Sequence, residues 1–222
     1  SELNSRGRAI SEKRKPRFDK RGQLTPRERL ARLLDPGMPF LEIGNLAGYK
    51  LDTKDEAKSI PGGTVISGIG FISGGRCCVV VDDSGILAGS LTLAGGYRIA
   101  RAQQISLEQR LPFVHLVESA GGDLMNYTVE NFAEGGDLFG ALAKLSKEGI
   151  PVISILHGSS TAGGAYMPGL SDYVIAVKGT GRAFLAGPPL LKAATGEIAT
   201  EEELGGSEMH ATVSGLAEYL AE

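Results

Sequence analysis

The chain has 222 residues, of which 42% are apolar, 22% charged and 32 glycine, with 10 prolines, two cysteines and no tryptophan. Glycine is roughly twice its usual share of about 7%, but glycine and proline together stay below the ~25% that marks low-complexity chains, and no three-residue period indicates collagen. The length holds one large domain or two small ones, and a net charge of −3 with a pI near 5.7 gives no general pull toward nucleic acid. Cys77-Cys78 sit beside Val79-Val80-Val81, a spacing that suits neither a disulfide nor a zinc site. A reducing compartment is therefore expected, the cytoplasm or a mitochondrial matrix. No apolar run approaches 18 residues and no signal-peptide core opens the chain, so a soluble protein without a membrane partner is expected.

Residues 1–35 carry nearly half of the basic residues. A nucleic-acid arm is one reading. A basic helical arm packed on the domain or a neighbouring subunit fits better, because Thr25-Pro26-Arg27-Glu28 reads as a capping box and Leu30, Leu33 and Leu34 form an apolar stripe. Residues 36–222 are expected to form one domain. Runs at 65–72 and 76–81 flank Ser73-Gly74-Gly75 and predict a hairpin. A helix is predicted over 97–109, a strand over 113–117, and a helix marked by Leu138, Leu142 and Leu145. Strands over 152–156 and 173–177 follow, and the last predicted helix spans 211–221, ending abruptly. Strands alternating with helices predict an α/β fold built of stacked turns.

Two segments carry the chemical signal. Glu118-Ser119-Ala120-Gly121-Gly122-Asp123 and Ser159-Ser160-Thr161-Ala162-Gly163-Gly164-Ala165-Tyr166 each follow a buried strand and precede a predicted helix. Glycines there leave backbone N–H groups open, and two such donors converging on one oxygen make an oxyanion hole. The alternative is ordinary glycine turns. No phosphate loop, dinucleotide fingerprint or G-x-S-x-G elbow occurs, and His157 next to Ser159 does not make a nucleophile pair. His115 reads as a core histidine and Asp82-Asp83 as turn formers. His210 lies near Glu208 without a ligand cluster, so no metal is expected. No general acid or base stands out.

Thr161-Ala162-Gly163-Gly164-Ala165-Tyr166-Met167-Pro168-Gly169-Leu170-Ser171-Asp172 closely resembles a stretch of the β (carboxyltransferase) subunits of biotin-dependent acyl-CoA carboxylases. So do the run from Phe184 through Gly187-Pro188-Pro189 to Glu197, and Glu203-Leu204-Gly205-Gly206. Leu24-Thr25-Pro26-Arg27-Glu28-Arg29, Leu33-Leu34-Asp35-Pro36-Gly37 and Gly89-Ser90-Leu91 ahead of Arg98-Ile99 agree. The resemblance implies a crotonase-like fold of repeated ββα turns and the amino-terminal half of such a subunit. It implies acyl-CoA bound here and carboxybiotin held mainly by a second, related half, with a biotin carboxylase or carrier subunit as partner and a homo-oligomeric assembly. Biotin would act as its own base, which accounts for a site without an acid or base side chain.

Carried over by resemblance, the enolate hole uses N–H groups at Gly121 or Gly122 and at Gly163 or Gly164, with Ala162 lining the turn. Tyr166 and Met167 would begin the helix pointing at the thioester, and Arg98 would contact CoA phosphates or be a solvated helix charge. Ala120 stands where the family commonly has glycine, and residues 82–86 and 93–97 also depart, which touches acyl-group choice. Gly187-Pro188-Pro189 leans toward the methylcrotonyl or geranyl branch. A second half and a biotinyl lysine in an Ala-Met-Lys-Met setting are missing, so a fragment or a chain working with a separate one is expected. Two other classes stand beside this one: a stand-alone crotonase-type hydratase, isomerase or decarboxylase using Glu118, Asp123 or Glu130, and a non-catalytic CoA-binding assembly subunit.

Overall fold

A computed structural model of the chain describes residues 2–51, 53–123 and 128–222. The basic segment folds as three helices, α1 (Glu2–Glu12), α2 (Lys15–Lys20) and α3 (Pro26–Leu33). The capping box forms: Thr25 Oγ1 accepts the Glu28 N–H at 3.3 Å and the Glu28 carboxylate accepts the Thr25 N–H at 2.9 Å. Lys15 reaches the same carboxylate at 2.8 Å and, with Thr25, holds it down at about 2. Leu30 is 5% exposed and packs with Val79, Val81, Val114 and Leu116, so the arm lies on the sheet of its own chain.

The main sheet has seven strands: β1 (Leu41–Glu42), β2 (Val65–Ile72), β3 (Gly75–Asp82), β4 (Phe113–Val117), β5 (Val152–Leu156), β7 (Tyr173–Val177) and β9 (Tyr219–Ala221), adjacent in that order. The β2–β3 hairpin forms as expected, its turn held by Asp35, whose carboxylate accepts the Ser73 and Gly74 N–H groups at 2.8 and 2.7 Å. From β3 onward every neighbour is parallel, with Val80 opposite His115 and His115 opposite Ser154. A small parallel pair, β6 (Ser159–Thr161) and β8 (Arg182–Phe184), stands apart.

Strand alternation divides the core. Val79, Val81, Val114 and Leu116 face the arm, while Cys78, Val80, Phe113 and Val117 face α4 (Leu93–Gln109) and α5 (Val129–Lys147). Leu138, Leu142 and Leu145 bury α5 as their spacing predicts. Burial drives the Cys78 thiol up to about 12, so it stays protonated.

Two boundaries differ from expectation. α4 starts four residues before 97, because Thr92 Oγ1 accepts the Gly95 N–H at 3.2 Å and caps it there. The helix predicted over 211–221 is corrected: a π-helical turn, His210–Ser214, ends at Gly215 with φ +71, and the chain then pairs as β9 with β7. Its apolar spacing suits a helix, but the open edge of a parallel sheet takes the segment instead. Helices α6 (Gly163–Gly169), α7 (Pro188–Thr195), α8 (Glu201–Gly205) and α9 (Ser207–Met209) complete the fold. Among the described residues no helix is long and apolar enough to cross a membrane.

Candidate active site

β3, β4 and β5 are parallel neighbours, so the loops leaving their carboxyl ends converge, the usual ligand position in such sheets. Backbone bonds stitch them together. Ala120 donates to the Ala88 carbonyl at 3.2 Å and Leu91 to that of Gly121 at 2.7 Å. Ser119 donates to the Ser159 carbonyl at 3.1 Å, and Thr161 to that of Ser119 at 2.9 Å. The second and third loops are the two glycine-rich segments singled out from the sequence, and here they touch. A Cβ on Gly121, whose φ is +86, would stand 2.8 Å from the Thr161 carbonyl oxygen, and one on Gly164 would stand 2.8 Å from Ser119 Cβ. Only glycine allows these approaches.

The donors can be counted. The Gly121 N–H is taken by Ser119 Oγ at 3.2 Å, which leaves Gly122 as the open donor of the first pair among the described residues. Gly163 and Gly164 open α6, and first-turn N–H groups have no acceptor within their helix. Ala162, directly before them, holds φ +50 and ψ −117, and Leu87 and Ala88 hold φ +47 and +53. Such conformations cost of order 1–3 kcal/mol each and concentrate at working sites.

Other expected residues are placed differently. α6 begins at Gly163, so Tyr166 and Met167 lie in its body rather than at its start. Tyr166 packs edge-on against Phe139 at 5.2 Å, and Met167 is buried with Leu138 and Leu142. With only seven residues, α6 contributes individual N–H groups more than a dipole. Arg98 is also corrected. It is 4% exposed and donates to the carbonyls of Val65 (2.5 Å) and Ile43 (2.7 Å), to Ser67 Oγ (3.2 Å) and to Glu42 (3.4 Å). It is not a solvated charge: its donors are taken by protein acceptors, and it clamps α4 to the β1–β2 edge.

A cleft of about 410 Å³ opens between these loops and the arm. Ser84, Gly85, Leu87 and Ala88 form one wall, Glu118, Ala120, Ser159 and Thr161 the floor, and Arg14, Arg17, Phe18 and Arg21 the other wall. The part played by the arm was not visible in the sequence, since it depends on contacts between segments some 70 residues apart, such as Ser11 Oγ donating to Asp83 at 2.6 Å.

Several polar groups lie in or beneath the floor. Asp82 accepts the Glu118 N–H and sits 3.1 Å from His115 Nε2, so these residues brace β3 against β4. Asp83 does form a turn, accepting the Gly85 N–H at 3.1 Å. Glu118 accepts from Ser84 Oγ at 2.8 Å, and burial pushes its carboxyl up against that bond and the opposing charges of Arg29 and Arg21. His157 is 1% exposed, with both ring nitrogens unpartnered among the described residues; Glu118 is 3.8 Å away, beyond hydrogen-bond reach. Burial, aided by the charge of Arg29, takes the imidazole well below 6.5, so the pair is a neutral ring beside a carboxyl rather than an ion pair. Of the three carboxyls considered from the sequence, Glu118 lines the cleft; Glu130 is exposed in the first turn of α5, and Asp123 is not among the lining residues.

Comparison with known proteins shows the family. Residues 17–222 match the Carboxyl transferase domain, and the chain belongs to that family. It is 47% identical over 205 residues to the probable biotin-dependent acyl-coenzyme A carboxylase beta2 subunit of Mycobacterium tuberculosis, covering 92% of this chain and 37% of that protein. The geranyl-CoA carboxylase beta subunit of P. aeruginosa superposes with a TM-score of 0.89 at 52% identity, covering 100% of this chain and 40% of that one. Transcarboxylase 12S, a hexamer solved with methylmalonyl-coenzyme A and methylmalonic acid bound, gives 0.86 at 30% identity, covering 99% and 43%. The fold is crotonase-like, as in these carboxyltransferases. The chain spans about two fifths of the length of these relatives.

Proposed function

We propose that the chain forms the acyl-CoA-binding half of a biotin-dependent acyl-CoA carboxyltransferase. The observation that carries this reading is the locked pair of glycine turns, with open donors at Gly122 and at Gly163 or Gly164. A thioester oxygen seated between them is polarised, which acidifies the neighbouring α-carbon. As the α-proton leaves, negative charge grows on that oxygen, and fixed N–H groups stabilise it most at that moment. Donors of this kind are worth about 10²–10³ in rate each. Carboxybiotin, when bound, supplies both the CO₂ and the base. In this reading it sits on a second carboxyltransferase half and a biotin-carrying partner, in an oligomer. What this chain must do is hold the thioester, exclude water with the walls of the cleft, and keep the two turns in register.

The higher identity to a geranyl-type subunit than to transcarboxylase 12S, 52% against 30%, supports a methylcrotonyl- or geranyl-type acyl group over a propionyl-type one. The test uses the full-length subunit with its biotinylated partner, ATP and labelled bicarbonate. Label should enter methylcrotonyl- or geranyl-CoA in preference to propionyl-CoA. A second reading rests on Glu118, the carboxyl that lines the cleft: a stand-alone crotonase reaction would use it as acid or base. Hydration of an enoyl-CoA without any label incorporation would favour that reading and overturn ours.

A further inference from the structure

With Arg98 buried beneath α4, the cations that face the cleft come from the arm. Arg14 caps the start of α2, Arg17 lies within it and Arg21 caps its end, and all three line the cleft. Phe18, 4% exposed, anchors the helix, so these arginines are carried on a docked element. Other arm cations are neutralised, Arg8 by Glu12 at 2.7 Å, Lys15 by Glu28 at 2.8 Å and Arg27 by Glu42 at 3.0 Å, and Lys13 and Lys20 do not line the cleft. Arg14, Arg17 and Arg21 have no ion-pair partner among the described residues. Clustered cations of one sign raise the local positive potential and draw an anion to the cleft. Glu118, the carboxyl in the cleft floor, already accepts from Ser84 and burial works against its charge.

The same cleft reaches Ala120 and Thr161, each two residues before an open donor, Gly122 and Gly163, which lie just past its floor and not in its lining. One end thus suits a neutral thioester and the other a polyanion. Acyl-CoA has that polarity, with a thioester at one end and the 3′-phospho-ADP group at the other. Resting on the acyl-CoA reading above, we propose that Arg14, Arg17 and Arg21 form the phosphate-binding end of the substrate site, so that the basic arm is part of the site and not only a packing element. Guanidinium groups bind phosphate bidentately, and lysine replaces the charge without the geometry.

The test is calorimetric binding of CoA, dephospho-CoA and pantetheine to the full-length subunit. Wild type should bind CoA more tightly than dephospho-CoA, with affinity falling as salt rises. Arg17→Ala should weaken CoA binding about tenfold and the triple Arg14→Ala, Arg17→Ala, Arg21→Ala variant about a hundredfold or more, as for lost charged hydrogen bonds. Pantetheine, lacking the diphosphate and the 3′-phosphate, should bind all forms alike, which also reports an intact fold. In turnover, KM for acyl-CoA should rise with kcat little changed, and Arg17→Lys should recover part of the loss. CoA bound equally by the triple variant and wild type would overturn the proposal and leave the carboxyltransferase reading standing. No CoA binding by wild type would remove that reading and the proposal with it.

Discussion

Gly164 and Ser119 are packed so closely that a methyl group on Gly164 would stand 2.8 Å from Ser119 Cβ, whereas among the described residues one on Gly163 meets only Phe139, at 3.8 Å. The adjacent glycines of one turn therefore do different jobs. Gly164 lets the second glycine segment approach the first, and Gly163 keeps the face beside its N–H clear. Gly164→Ala should cost about 1–3 kcal/mol by overpacking, while Gly163→Ala should stay within about 1 kcal/mol of wild type. Denaturant unfolding of both variants checks this; equal stabilities would mean that the turns do not lock as described.

Arg98 should behave as a structural residue. Removing it takes a donor from the Val65 and Ile43 carbonyls and leaves a buried hole, while Glu42 keeps Arg27 at 3.0 Å and Ile43 keeps Ser67 Oγ at 3.2 Å. Arg98→Met should destabilise by about 1.5–3 kcal/mol, as for lost buried hydrogen bonds to a charged group. Lysine cannot reach all of these acceptors at once, so Arg98→Lys should recover only part of that loss. A rise in KM for acyl-CoA with stability unchanged would return Arg98 to the role expected from the sequence.

His157 ties stability to pH. Its folded-state pKa lies well below 6.5, so below that pH the unfolded chain binds a proton that the folded chain refuses. The contribution is complete above pH 6.5 and is lost as pH falls, by up to about 1.4 kcal/mol per pH unit. Between pH 6.5 and 5, melting temperature should fall in wild type and fall less steeply in His157→Leu. Parallel profiles for the two would show that the ring is protonated in the folded state.

What was legible from the sequence follows from the range of the forces involved. The Thr25–Glu28 box spans three residues, and the valine run of β3 needs only alternation, so both were readable locally. The glycine segments were found because backbone donors require missing side chains. Arg98 was misplaced although a signal was present: it shares a four-residue spacing with Ala94 and Ala102, both buried, which puts it on the inner face of α4. The segment 211–221 carried helical spacing, but Gly215 was a stop signal that the pattern outweighed. The link between the arm and the cleft rests on contacts such as Ser11 to Asp83, which no local pattern encodes.

The central claim is that the thioester oxygen is held by backbone donors on the two glycine turns. It is tested most directly by transfer of labelled carboxyl from carboxybiotin to acyl-CoA, comparing the full-length subunit with its Gly163→Val variant. A branched side chain at Gly163 should crowd the oxygen's approach to that N–H, lowering kcat about 10²-fold or more while unfolding and CoA affinity stay close to wild type. Unchanged turnover in the folded variant would contradict the claim and remove this turn from the site.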